Sequence, residues 1–186
     1  MSKDRLVLVT QNIHKLKELT PLFKKYSVEF DTTNHEKHEI RSDDVEEIAL
    51  AAAQHAFRII GRPVLVDDTG FYISALKDFP GSYPAYVLNT IGCPGILRLM
   101  EDVEDRSARF ITAVGYYDGI ILKTFQGTMA GRISHKVQGK EGFGYDPIFI
   151  PDGFKKTYAE LSLGEKVSIS HRTRAFEKFL KWYKSS

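Results

Sequence analysis

Short apolar runs alternate with helix-spaced apolar positions over the first third of the chain. Three six-residue segments are typical of strands: the first and third are rich in Val and Leu, and the second carries Val, Phe and two Thr. They are Arg5–Thr10, Val28–Thr33 and Pro63–Asp68. Between them, apolar residues recur three or four positions apart, after Asn12 and again after Asp43 and Asp44, which are favourable helix N-caps. This part of the chain therefore predicts three strands that alternate with two helices.

The rest of the chain is richer in strands. Asp118-Gly119 is a turn signal between two long runs and predicts a β-hairpin. A final helix is expected to begin near Ser170. The other predicted elements are a strand at Phe71–Leu76, a turn-rich loop at Lys77–Pro84, a short helix at Gly95–Glu101, hairpin strands at Ala108–Tyr117 and Ile120–Ser134, and a buried strand at Pro147–Pro151. This order predicts one α/β domain over residues 1–186, with a mixed sheet, no linker and a second lobe from the middle of the chain.

The composition is that of an ordinary soluble globular protein. Hydrophobic residues make up 42% of the 186 residues and charged residues 27%, and the net charge of +2 is too small to argue for a nucleic-acid or membrane partner. Cys93 is the only cysteine, which excludes an internal disulfide and a cysteine-based zinc site. The N-terminal apolar run is too short for a signal peptide or a membrane span, so we expect a cytoplasmic protein.

The segment VTQNIHKLKEL (9–19) joins the end of a strand to the start of a helix. The free N–H groups and the positive dipole end of a helix N-terminus favour a phosphate. Lys15 in the first turn opposes that dipole, which makes sense if an anion lies between them. Taken alone, the segment is explained more simply by a solvated surface lysine, because the sequence has no GxxxxGK[ST] phosphate loop.

Two adjacent carboxylates follow the third strand, in VLVDDTG (64–70). Neighbouring strand residues point to opposite faces, and like charges this close repel unless a cation compensates them. Oxygen ligands with no His or Cys nearby suit Mg²⁺, which often bridges to substrate phosphates. Asp67 and Asp68 therefore predict a Mg²⁺ site in preference to a polar turn. Glu39, in the HEI stretch, is a weaker candidate for a third carboxylate.

The segment EKVSISHRTRA (165–175) places positive charge at a helix start. Ser170 is a favourable N-cap, which puts His171 and Arg172 in the first turn, where cations oppose the dipole. They make more sense as donors to an acceptor on a ligand, with Lys166 preceding them. A charged helix start at the surface is the alternative for this segment alone.

A phosphate-rich ligand with Mg²⁺ explains these three segments together. The stretch EGFGYDPIFIP (141–151) then suits the binding of the base of the same ligand. Phe143 and Tyr145 offer faces on which a base can stack, and Asp146 offers an acceptor for a ring N–H. For Asp146 a turn start is the alternative, because Asp-Pro is common in turns.

With these residues in view, the chain resembles the inosine triphosphate pyrophosphatase family, also called Ham1-like. The matching segments, in the family's order, are VTQNIHKLKEL, VLVDDTGF, FPGSYPAYV, GFGYDPIFIP, TYAEL and EKVSISHR. The resemblance implies an elongated two-lobed α/β fold with an active-site cleft between the lobes, and a homodimer. It also implies Mg²⁺-dependent hydrolysis of ITP, dITP and XTP to the monophosphate and pyrophosphate, which removes noncanonical purines from the nucleotide pool.

The resemblance also implies a role for individual residues. Thr10, Asn12 and Lys15 match a triphosphate-binding turn. Asp67 and Asp68 match metal-binding and water-activating carboxylates, with Asp68 as the base, and Glu39 matches a metal-binding glutamate. The implied base-binding set is Phe143, Tyr145, Asp146, Lys166, Ser170, His171 and Arg172.

The chain departs from the family's pattern in two places. Many members carry a lysine in the second helix, where this chain reads ALAAAQHA, so one phosphate contact is either missing or supplied from elsewhere. The loop FPGSYPAY lacks an arginine that bacterial relatives often have after it. Two rival functions stay open. A Maf-like pyrophosphatase acting on modified pyrimidine nucleotides is disfavoured by the SHR segment, and a nucleotide- or RNA-binding module leaves Asp67-Asp68 unexplained.

Overall fold

The computed structural model of the chain describes residues 5–33, 35 and 37–185. The α-helices in these residues are α1 (Ile13–Lys25), α2 (Val45–Ile60), α3 (Pro84–Thr90), α4 (Gly92–Leu99), α5 (Leu163–Ile169) and α6 (His171–Ser185). The strands are β1 (Leu6–Val9), β2 (Phe30–Thr33), β3 (Val64–Ile73), β4 (Pro80–Gly81), β5 (Ser107–Tyr117), β6 (Leu122–Ile133) and β7 (Phe149–Pro151). Over the described ranges, every helix is too short or too polar to span a bilayer.

The strands form one mixed sheet in the order β2-β1-β3-β5-β6-β7, with β4 paired to β3. β1 runs parallel to both β2 and β3, and Leu8 lies opposite Thr32 on one side and Leu65 on the other. β4 and β7 pair antiparallel to β3 and β6. The predicted α/β class with a mixed sheet is confirmed. Continued by two residues, the register of β1 with β3 brings Thr10 level with Asp67.

Some predicted element boundaries were wrong. β3 continues to Ile73, so the separate strand predicted at Phe71–Leu76 is the end of β3 and a following 3₁₀ turn. The strand predicted at Pro147–Pro151 begins only at Phe149, because a 3₁₀ turn that contains Pro147 precedes it, and proline fixes φ near a helical value. The seven-residue helices α3 and α5 were missed, because two turns are too few for apolar periodicity to show.

The chain divides into two compact units. Unit 1 comprises Met1–Asp68, Thr112–Gly127 and Arg172–Ser186, and unit 2 comprises Thr69–Ile111 and Thr128–His171. In unit 1, one core packs α1 and α6 on β1 around Phe23 and Phe176, and another packs the alanines of α2 on β1 and β3. The core of unit 2 is aromatic, with the rings of Phe71 and Phe110 stacked at 4.4 Å. The active-site cleft that the family resemblance implies stays a prediction.

An unusually close backbone approach lies between α2 and β5. A Cβ atom added at Gly115 would lie 2.4 Å from the carbonyl oxygen of Ala49. Four of the buried positions of α2 are alanines, namely Ala49, Ala52, Ala53 and Ala56. Small residues on both sides let the helix backbone lie directly on the strand.

Candidate active site

The turn that connects β1 to α1 is built by its own polar side chains. The Oδ1 atom of Asn12 accepts hydrogen bonds from the backbone N–H groups of His14 at 2.9 Å and Lys15 at 3.2 Å. The hydroxyl of Thr10 accepts one from the N–H of Asn12 at 3.2 Å. The predicted N-cap is confirmed, and it fixes the backbone from which Lys15 projects.

Lys15 turns into unit 1 and is not a solvated surface residue. Its side chain is 19% exposed, and its Nζ atom donates to Oδ2 of Asp67 at 2.8 Å. Burial lowers the pKa of Lys15, and the attraction of Asp67 offsets this only in part. The structure therefore joins the first two segments that the sequence singled out, which lie 52 positions apart.

Asp67 and Asp68 are both buried, and each has its own cation. Asp67 accepts from Lys15 and, at 3.4 Å, from Nε of Arg172. The Oδ1 atom of Asp68 accepts from Nζ of Lys37. Adjacent residues of a strand project to opposite faces, which explains why the two carboxylates meet different partners.

Their different partners give the two carboxyl groups opposite pKa shifts. Burial alone would raise the pKa of Asp67, but Lys15 and Arg172 outweigh it and hold that pKa well below its usual range. For Asp68 burial wins over the attraction of Lys37, so its pKa is raised. Asp67 is thereby a fixed anion, whereas Asp68 is the better proton acceptor.

Asp68 and Glu39 carry the features that a divalent cation would use. The Oδ2 atom of Asp68 is buried and has no hydrogen-bond partner among the described residues. Lys37 also lies 2.9 Å from Oε1 of Glu39, so the two carboxylates already share one positive charge. An unpaired, buried carboxylate oxygen beside a second carboxylate fits a hard cation such as Mg²⁺. Within the described ranges, however, no three His, Cys, Asp or Glu residues are grouped to hold a metal, so the predicted set of Glu39, Asp67 and Asp68 stays a prediction.

A further charged residue, Glu18, joins the cluster of Lys15, Asp67 and Arg172 and was missed by the sequence analysis. It is 3% exposed, and its Oε2 atom accepts from Nη1 of Arg172 at 2.6 Å. Arg172 thus spans Glu18 and Asp67 inside unit 1, which gives it a positioning role beyond the base-reading role that the sequence indicated. The available signal was spacing: Glu18 lies three residues after Lys15 and next to the core residue Leu19, so it shares the inward face of α1.

A second cluster lies in unit 2, where Asp146 and Lys166 form a buried ion pair. Their side chains are 6% and 5% exposed, and Nζ of Lys166 donates to Oδ2 of Asp146 at 2.6 Å. The same oxygen accepts from the N–H of Phe143 at 2.8 Å. Lys166 also lies 4.6 Å from the centre of the Phe143 ring. Phe143, Asp146 and Lys166, all predicted to contact the base, are therefore in mutual contact.

Helices α5 and α6 present the residues of the EKVSISHRTRA segment. α5 begins with a capping box between Ser162 and Glu165, and this unpredicted helix carries Lys166 into the interior. Ser170, only 1% exposed, ends α5 and precedes α6. The His171 ring stacks on Phe110 at 4.7 Å.

Tyr145 differs from the aromatic face that the sequence predicted. Its ring is 3% exposed and stacks on Phe71 at 4.7 Å, and its hydroxyl donates to the carbonyl of Pro84 at 2.8 Å. With its ring buried in the core of unit 2 and its hydroxyl engaged, Tyr145 supports the fold. Phe143 is left as the aromatic candidate for stacking on a base.

Comparison with known proteins decides the family. The model of the Ham1 family matches residues 6–182. The chain belongs to the Ham1 family. It is 49% identical to the dITP/XTP pyrophosphatase of Saccharolobus solfataricus, covering 97% of this chain and 94% of the relative, and 46% identical to the dITP/XTP pyrophosphatase of Methanopyrus kandleri, covering 98% and 97%. A solved structure of a HAM1 protein from Coxiella burnetii superposes with a TM-score of 0.87 at 31% identity, covering 98% and 99%.

The Ham1 membership confirms the resemblance drawn from the six motifs. All six motifs lie within the matched range. Four of them supply the residues of the two charged clusters, apart from Lys37 and Glu39. The comparisons are to whole chains, so the roles of single residues rest on the geometry described above.

A glycine in this Ham1 chain gives a direct test of the Asp146–Lys166 pair. A Cβ atom at Gly142 would lie 2.1 Å from Oδ2 of Asp146, whereas one at Gly144 would meet nothing within 4 Å, and both residues have positive φ. Gly142→Ala and Gly144→Ala should share the backbone strain of roughly 1–2 kcal/mol. Only Gly142→Ala should lose about a further 1–3 kcal/mol from crowding of the ion pair. Urea unfolding measures both, and equal losses would contradict the assigned geometry.

Proposed function

We propose that this chain is a Mg²⁺-dependent nucleoside triphosphate pyrophosphatase that hydrolyses ITP, dITP and XTP to the monophosphate and pyrophosphate. In the cell this activity would remove noncanonical purines from the nucleotide pool. The observation that carries the proposal is the Asp67-Asp68 pair, two buried neighbours with opposite pKa shifts and separate cations. The relatives from Saccharolobus solfataricus and Methanopyrus kandleri are named dITP/XTP pyrophosphatases, which supports dITP and XTP as substrates here.

The charges of unit 1 suit attack of water on the α-phosphorus. Asp68, with its raised pKa, would take the proton of the attacking water. Lys15 would place positive charge beside the polyphosphate as negative charge spreads over its oxygens. Asp67, which also accepts from Arg172, keeps the lysine in position. Held by Glu39, Asp67 and Asp68, a bound Mg²⁺ would supply further neutralisation of that charge.

The ion pair of unit 2 suits recognition of a 6-oxopurine. The ring of Phe143 would stack on the base, and Asp146 would accept the ring N–H. Lys166 and His171, with Ser170, would supply donors to the 6-oxo oxygen, an acceptor that adenine lacks. A buried donor that meets the amino group of adenine would be left unpaired, which disfavours ATP.

The products of ITP hydrolysis test this proposal. We expect IMP and pyrophosphate as the first products, formed with Mg²⁺ and lost when the ion is chelated, because the base and the cations are arranged around attack at the α-phosphorus. Ion-exchange analysis of ITP, dITP, XTP and ATP reactions measures the products and their relative rates. Initial formation of IDP and phosphate would contradict the proposal. A homodimer is a further proposal that rests on the family resemblance, and a cytoplasmic location is one that rests on the single cysteine of the sequence.

A further inference from the structure

Lys37 holds an unusual position between two carboxylates of the proposed ion site. Its Nζ atom lies 2.9 Å from Oε1 of Glu39 and donates to Oδ1 of Asp68. The side chain of Lys37 is 19% exposed, that of Asp68 10%, and that of Glu39 61%. One ammonium group therefore bridges a buried and an exposed carboxylate and compensates only one of their two negative charges.

We infer that Lys37 is a tethered cation that occupies the position of the divalent ion in the nucleotide-free chain and competes with that ion for Glu39 and Asp68. The inference rests on the proposed function, since it assigns a regulatory residue to the same site. Lys37 is outside every motif that identified the family, and the sequence analysis gave it no role.

The arrangement has a clear energetic basis. A buried carboxylate without a positive partner is strongly destabilising, so Lys37 stabilises Asp68 whenever no other cation is bound. The same contact must break before an ion can bind both carboxylates, which lowers the affinity for a free ion. A lysine suits this exchange, because its flexible four-carbon stem lets the ammonium swing away without movement of the backbone.

Once displaced by the ion, Lys37 would also be able to contact the phosphates of the nucleotide. If a metal–nucleotide complex binds, Glu39 and Asp68 would hold the ion, and the displaced ammonium of Lys37 would be available to the phosphate oxygens. The nucleotide would then compensate for the contact that Lys37 loses. Binding of the ion and the triphosphate would thereby become mutually dependent.

Titration of the full-length, nucleotide-free protein with Mn²⁺, followed by water-proton relaxation, tests the inference without turnover. In Lys37→Met the dissociation constant for Mn²⁺ should fall about tenfold or more, which corresponds to about 1.4 kcal/mol. Lys37→Arg, which keeps a cation, should retain the weaker affinity of the wild type. Lys17→Met removes the same charge from an exposed position of α1 and should change the constant less than about twofold, as expected for screened surface charge.

Unchanged or weaker Mn²⁺ binding in Lys37→Met overturns the inference, as does tighter binding in Lys17→Met of the same size. Absence of Mn²⁺ binding in the wild type and in all three variants overturns it too. The proposed function fails separately: a chain with Lys37-dependent Mn²⁺ binding that never releases pyrophosphate would disprove the activity while leaving the role of Lys37 standing.

Discussion

Replacing Asp68 by Asn should lower pyrophosphate release from ITP by about 10²–10⁴-fold while the fold stays intact. The substitution keeps the size of the side chain but removes the group that accepts the proton of the attacking water. It also removes a charged oxygen from the candidate ion site. Lys37 would lose one of its two carboxylate partners but keep Glu39, which is exposed enough to follow it.

Steady-state kinetics with ITP measure the effect, and circular dichroism checks the fold. Asp43→Asn is the matched control, because it removes one carboxylate charge from an exposed position of unit 1, and it should leave the rate within about twofold, as expected of a surface charge outside the site. An Asp68→Asn variant that keeps half of the wild-type rate would transfer the role of base to Asp67 or to another group.

Replacing Glu18 by Ala should lower the free energy of unfolding by about 3–5 kcal/mol, although Glu18 was assigned no role in binding. The substitution leaves the guanidinium of Arg172 buried and removes the shorter of its two carboxylate contacts, 2.6 Å to Glu18 against 3.4 Å to Asp67. In the wild type the pKa of Arg172 is raised, because its two carboxylate partners outweigh burial. In the variant the guanidinium still keeps its proton, since arginine is not deprotonated in proteins, so a buried positive charge remains.

Urea unfolding of three variants isolates this buried ion pair. Glu104→Ala, at an exposed position, should change stability by less than about 0.5 kcal/mol. The double variant Glu18→Leu/Arg172→Met should recover much of the loss, because neither charge is then left unpaired. A loss below about 1 kcal/mol in Glu18→Ala would mean that Asp67 alone compensates Arg172, or that the pair is more hydrated than its 3–4% exposure indicates.

Local chemistry made part of the site predictable. Asn12 and Asp44 cap their helices as the sequence indicated, because capping depends on residues two or three positions away. Strands β1 and β3 were also found, since continuous Val and Leu runs are typical of strands buried on both faces. Lys15 and Asp67 were selected because each charge requires a partner, and the structure pairs them with each other. The phosphate and the Mg²⁺ expected beside them stay predictions.

Partners chosen by tertiary packing were not predictable. Arg172 reaches Glu18 across 154 positions, and no local pattern states which acceptor a helix-start arginine will meet. Lys37 lies in a stretch with no periodicity, so only the folded chain shows that it meets Asp68. Tyr145 follows a glycine with positive φ, and the sequence of such a loop does not determine to which side the aromatic ring turns. In the structure the ring packs against Phe71.

The contact between α2 and β5 affects how mutational tolerance in this chain should be interpreted. In a saturation mutagenesis experiment, Gly115 should tolerate almost no substitution, because any side chain there would collide with the carbonyl of Ala49. Ala49, fully buried against the same strand, should be nearly as intolerant. Neither residue carries a functional group. A map of mutational tolerance would therefore mark this pair as strongly as Asp67-Asp68, and a reader who equates intolerance with catalysis would place an active site where the chain has only a tight fit.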